Sequence, residues 1–160
     1  MKNKRQDGFS LIELLIVVAI IGIIAAIAIP NLMASRRAAN EGSAQSSVRT
    51  IHSAQVTYQA TAGAGAYATD LAALRNQRLI DTVLGSGQKS GYDFVIVEQS
   101  GLNAAAVYGV YAFPSTTTGV SQSGTRRFAT THVGVMHGDT DLTALPNTIA
   151  LIDGIAVLGN

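Results

Sequence analysis

The sequence predicts an α+β fold: a long N-terminal α-helix, transmembrane in its first half and amphipathic in its second, packed against a C-terminal antiparallel β-sheet head. Three observations lead there. Phe9 to Ile29 is a run of 21 residues whose only ionisable side chain is Glu13. Beyond Pro30, apolar residues recur at helical spacing as far as Tyr58. From Tyr92 the chain changes to alternating and β-branched runs separated by turn residues.

The apolar run comes first. At the rise of an α-helix it spans about 31 Å, the thickness of a bilayer core. Lys2, Lys4 and Arg5 precede it, and the positive-inside tendency places the N-terminus in the cytoplasm and the rest of the chain outside. On pattern alone a secretory signal peptide also fits, with Ala25, Ala26 and Ala28 as a small-residue site, although Pro30-Asn31-Leu32-Met33 follows where such a site is expected to end. Glu13 argues against a passive anchor, because a carboxylate in a membrane helix costs about 2.5–3.5 kcal/mol and is rarely left unpaired. It either snorkels to the headgroups from its place near the helix start or awaits a cation from a neighbour. Gly22 and Pro30 weaken the helix, by about 1 and about 3 kcal/mol respectively, so a kink is expected at Pro30 and a loosened stretch between the two.

The second half of the helix is read from Ala44, Val48, Ile51, Ala54 and Tyr58, one apolar stripe opposed by Gln45, Arg49, Ser53 and Thr57. Gly63 and Gly65 mark its end. Asp70 to Leu84 has spacing for one or two short helices before Gly85-Ser86-Gly87. Strands are expected at Tyr92–Glu98, Val107–Phe113, Arg127–His137 and Ile149–Leu158, joined as a meander against the helix.

Composition narrows the function classes. The chain has 160 residues and no cysteine, so the head is held by apolar packing and strand pairing without disulfides or thiolate metal sites. The net charge of +1 depends on the first eight residues; without Lys2, Lys4, Arg5 and Asp7 the balance is 8 basic to 9 acidic, or −1. This gives no strong nucleic-acid signal, and Arg36-Arg37 and Arg126-Arg127 read as solvated or juxtamembrane pairs. His52, His132 and His137 form no metal-ligand grouping, and Asp139 and Asp141 beside His137 supply too few oxygens for calcium, so no metal or cofactor is expected. No nucleophile elbow and no paired carboxylates appear, Asp7 and Asp93 included; no catalytic residues are assigned and the chain is not read as an enzyme. Tyr58, Tyr108, Tyr111 and Phe113 are assigned to packing.

The string Gly8-Phe9-Ser10-Leu11-Ile12-Glu13-Leu14-Leu15-Ile16-Val17-Val18-Ala19-Ile20-Ile21-Gly22, with its short basic leader and Pro30 near the end of the apolar run, resembles the processing signal of type IV pilins and the related pseudopilins. The similarity is specific over roughly residues 1–60 and architectural afterwards. It implies a cleaved leader at 1–8, a transmembrane and filament-core helix at 9–29, and the remainder of the long helix with a globular head at 30–160. It further implies that a prepilin peptidase cuts between Gly8 and Phe9 and N-methylates Phe9. Glu13 would then pair with the amine of an adjacent subunit, and residues 22–30 would extend in the filament. The partners implied are identical subunits in a helical homopolymer, the prepilin peptidase, the inner-membrane assembly machinery and the membrane itself. A calcium loop found in major pseudopilins has no matching pattern here.

The function so implied is that of a structural pilus subunit, a single-pass precursor in the bacterial inner membrane that becomes extracellular on assembly and serves adhesion, motility or DNA uptake. A pseudopilin of type II secretion is the alternative. A single-pass anchored binding module or enzyme is the third reading; it requires a concave polar site in the head and no role for Glu13.

Overall fold

The computed structural model describes residues 9–98, 106–142 and 148–159. Its order is α1 (Leu11–Ala60), α2 (Leu71–Asn76), a 3-10 turn (Leu84–Ser86), β1 (Gln88–Lys89), β2 (Tyr92–Glu98), β3 (Tyr108–Pro114), β4 (Arg127–Thr131), β5 (Met136–Asp139) and α3 (Ile149–Asp153). The expected α+β architecture is present, with one long helix followed by an antiparallel five-stranded sheet in the order β1-β2-β3-β4-β5. The chain forms two compact units, Met1–Ser35 and Arg36–Asn160.

In the second unit, the stripe read from the sequence is the buried face of α1. Ala44, Val48, Ile51 and Ala54 are buried, while Arg49, Ser53 and Thr57 on the far side are exposed. These residues share a core with Tyr92, Phe94, Tyr108, Val110, Ala112 and Phe128 of the sheet and with Leu71, Leu74, Ile80 and Leu84. Alternation along the strands sends Tyr111 and Ala129 to the opposite face, where they meet Ile152 and Ile155 together with Val97 and Phe113. Both faces of β3 and β4 are therefore covered, which explains why β4 is buried at all five positions.

Two strand expectations are corrected. Arg127–His137 is not one strand but the hairpin β4–β5, because Gly134 at φ 83° donates its N–H to Thr131 O at 2.9 Å and reverses the chain. Ile149–Leu158 is not a strand over its first half. Thr148 caps α3, its Oγ accepting the Leu151 N–H at 3.4 Å, and Ile149, Ile152 and Ile155 point one way at helical spacing onto the sheet. Strand-like pairing survives only beyond it: Val157 bridges His137, Gly138 N–H donates to Ala156 O and Leu158 N–H to Met136 O, each at 2.9 Å. β2 begins and ends where expected, and β3 is displaced by one residue from Val107–Phe113.

Asp70 to Leu84 holds α2, capped by Asp70 through the Ala73 N–H, and the 3-10 turn. At the end of α1 the Gly63 N–H reaches Tyr58 O at 2.7 Å, and a Cβ at Gly63 would lie 2.0 Å from Ala66 O, so no other residue fits without a shift in the chain.

The lower end of the head's helix holds the β3–β4 connection. Arg37 Nη1 donates to Gln122 Oε1 at 3.2 Å, Asn40 Nδ2 to Ser123 O at 2.9 Å, and the N–H and Oγ of Thr125 both donate to Glu41 Oε1 at 2.8 Å.

Candidate assembly site on the N-terminal helix

The first unit presents apolar surface. Leu11, Ile12, Leu14, Leu15, Val18, Ile20, Ile21, Ile23, Ile24, Ile27, Ile29 and Leu32 are each more than half exposed. The helix is long and apolar enough to cross a membrane, and none of its most apolar window is buried within the chain. Such a surface is stable in lipid or against other helices and is costly in water.

Glu13 lies in the first turn of α1, where the partial positive charge of the helix start favours a carboxylate. Its Oε2 accepts the backbone N–H of Ser10 at 2.9 Å. Ser10-Leu11-Ile12-Glu13 is thus a capping-box sequence in which the glutamate arm is formed. Sequence reasoning passed over Ser10, although the Ser-x-x-Glu spacing before an apolar run is itself the signal. The interaction is exposed, so the carboxylate retains lone pairs for a further donor.

Phe9 is 88% exposed and adjoins Ser10, whereas Gly8 and the rest of the expected leader lie outside the described residues. Gly22 has no atom of the chain within 4 Å of where a Cβ would stand, so nothing within this chain demands a glycine there. Pro30 lies inside α1, which is assigned as helix on both sides of it.

A profile described as the prokaryotic N-terminal methylation motif matches residues 3–29. The chain is 46% identical over 56 residues, 35% of its own length and 26% of the relative's, to the type IV major pilin protein PilA of Myxococcus xanthus. It is 61% identical over 41 residues, 26% of this chain and 30% of the relative, to the type IV wide pilus major component PilA4 of Thermus thermophilus. It is 36% identical over 59 residues, 37% of this chain and 41% of the relative, to the type II secretion system core protein G of Aeromonas hydrophila. The matches thus span well under half the length of these curated relatives. No solved structure shows a significant match. The matched motif therefore covers the same stretch that carries Phe9, Glu13, Gly22 and the exposed apolar surface.

The other sequence candidates fall into structural roles. Arg127, only 10% exposed at its side chain, makes a paired bond to Asp139, Nε to Oδ1 at 2.6 Å and Nη2 to Oδ2 at 2.9 Å, with Asp141 Oδ2 at 3.8 Å. His137 turns its Nδ1 to Ile155 O at 2.8 Å. The His137–Asp141 segment is accordingly bound up in an ion pair and a tail contact, and among the described residues no three His, Asp or Glu converge. Tyr108 and Tyr111 are buried and Phe113 packs beneath α3.

Proposed function

We propose that the chain is a structural subunit of a type IV pilus. Prepilin peptidase cuts between Gly8 and Phe9 and methylates the new amine of Phe9. The precursor, held in the inner membrane by residues 9–29, is drawn by the pilus assembly machinery into a helical homopolymer outside the cell. There the apolar helices bury one another, and Glu13 meets the Phe9 amine of a neighbour. Misregistered helices leave both charges unpaired in an apolar core, an error of about 3–5 kcal/mol, so the pair selects register. A repeated head-to-tail contact that does not close produces an open filament. Adhesion, motility or DNA uptake are the activities such a filament would serve.

The observation that carries this reading is the coincidence, on the first half of one helix, of a matched N-terminal methylation motif, an exposed apolar surface and a single carboxylate in the first turn. A pseudopilin of type II secretion uses the same parts, and the likeness to core protein G favours it as the second reading.

The test is intact-mass and N-terminal analysis of the chain from sheared surface filaments of its native host, beside a Glu13→Ala strain. A mature chain starting at methylated Phe9 in long surface filaments, with assembly lost in the variant, is the expected result. The same processed chain confined to the cell envelope, with protein secretion failing in its absence, selects the pseudopilin. A chain cut beyond Ile29 overturns both.

A further inference from the structure

His52 stands on α1 where three parts of the head meet. Its Nδ1 is hydrogen-bonded to the hydroxyl of Tyr108, the first residue of β3, whose ring is fully buried and packs on Tyr67 at 4.5 Å between centroids. The other ring nitrogen faces the β4–β5 turn: a Cβ placed on Gly134 would lie 3.0 Å from Nε2. The turn is joined to the same tyrosine from behind, the His132 N–H donating to Tyr108 O at 3.0 Å. One imidazole therefore connects helix, sheet and turn.

We propose that His52 is an acid-sensitive latch, fastening the β4–β5 turn and the start of β3 to α1 while its ring is neutral and loosening them when both ring nitrogens carry protons. The chemistry follows from donor counting. A neutral ring offers one lone pair, and in the tautomer protonated at Nε2 that lone pair is on Nδ1 and accepts the Tyr108 hydroxyl, the arrangement that best places the hydroxyl proton. A doubly protonated ring has none. Tyr108 can then only accept from Nδ1 and must turn its own proton elsewhere, toward an acceptor such as His52 O at 3.5 Å, the limit of a useful bond. The extra charge also gains no partner on α1, whose residues within a turn of His52 include Arg49 and no carboxylate. Of the other titratable groups on the packed elements, Tyr67, Tyr108, Tyr111 and the exposed His132 are not carboxylates, Arg127, His137 and Asp139 lie on the hairpin strands away from the turn with Arg127 and Asp139 paired to each other, and Glu98 is the Cα partner of Tyr108 across β2–β3. Burial likewise pushes the affinity of His52 for a second proton below its ordinary value. The latch belongs to the head and does not depend on whether the chain polymerises.

The experiment is hydrogen exchange on the full chain in detergent micelles between pH 7.5 and pH 5, corrected for the intrinsic pH dependence of amide exchange, with the three histidine rings followed by NMR in the same samples. Exchange at 108–110 and 131–136 is expected to quicken by up to about tenfold per pH unit below the unfolded-state histidine pKa and to level off where the His52 ring of the folded chain titrates. His52→Asn, which keeps an acceptor near the Nδ1 position but does not titrate, should remove the acid increment. Tyr108→Phe should show fast exchange already at pH 7.5. Exchange that does not change with pH overturns the proposal. So does loosening that tracks the His132 or His137 ring, or that persists in His52→Asn. If His52→Asn fails to fold, a wild-type exchange increment that levels off at the His52 ring titration, or its failure to do so, gives the same decision.

Discussion

Gln55 holds both backbone groups of Ala68: its Nε2 donates to Ala68 O at 2.9 Å and its Oε1 accepts the Ala68 N–H at 2.8 Å. The side chain is fully buried, and the contact returns the chain to α1 just after the glycine loop at its end. An amide has one donor and one acceptor set for this task, which no apolar residue of similar size can reproduce.

Gln55→Leu leaves the Ala68 N–H and C=O buried without partners. At about 1–3 kcal/mol for each unsatisfied group the head should lose about 3 kcal/mol. Urea unfolding of the full chain in detergent, followed by tyrosine fluorescence, checks this; a midpoint equal to wild type would show that water replaces the amide.

The Arg127–Asp139 pair is half-buried. Arg127→Met alone leaves Asp139 with the Asp141 N–H and solvent but without its cation and should cost about 1–3 kcal/mol, whereas Arg127→Met with Asp139→Leu should recover part of that loss. A double-mutant cycle read by chemical denaturation measures the coupling. Asp141, 3.8 Å from the guanidinium, should contribute much less.

Alkali should unfold the head through its tyrosines. Burial raises the pKa of Tyr92 and Tyr108 well above the ordinary 10.0, with Glu41 adding to the effect at Tyr92 and Tyr67 at Tyr108. The folded state therefore holds these protons more tightly than the unfolded chain. The stabilisation is complete below about pH 10 and is lost as pH rises toward the folded values. Tyrosinate absorbance measured alongside stability should show a decline above that pH, with a shallower slope in Tyr92→Phe.

Gly22→Ala should leave the head's thermal stability unchanged, since a Cβ at Gly22 meets no atom of the chain. It favours helix locally by about 1 kcal/mol. If residues 22–30 extend on assembly, the variant should form fewer surface filaments at equal subunit abundance, which shearing and immunoblotting would quantify.

How much of this was legible in the sequence depended on how local each cause was. The exposed run of α1 and the stripe from Ala44 to Ala54 were readable because helical spacing acts over a single turn or two. The pattern failed at the other end, where β-branched residues misled: Val133 and Val135 continue the alternation of β4 through a reversal made by Gly134, and Ile149, Ile152 and Ile155 look like strand residues although their spacing of three suits a capped helix. Gln55 and Arg127 were missed as buried residues because their partners lie 13 and 12 positions away. The clue for Gln55 was its place on the apolar stripe, four residues beyond Ile51 and seven beyond Val48. At the candidate site, Glu13 was conspicuous as the single charge in the run, whereas Ser10, three positions before it, acquires meaning only from the hydrogen bond between them.

The bonds from Arg37, Asn40 and Glu41 to the β3–β4 connection join residues 83 to 85 positions apart. Contacts of such span close late, because the intervening loop must first give up its freedom, and they raise the contact order that slows folding. On a ribosome, Glu41 emerges long before Thr125 exists. The base of the head's helix must therefore wait with its polar partners unmade and its apolar stripe uncovered until most of the chain has been synthesised, an interval in which a holding chaperone would find this helix open.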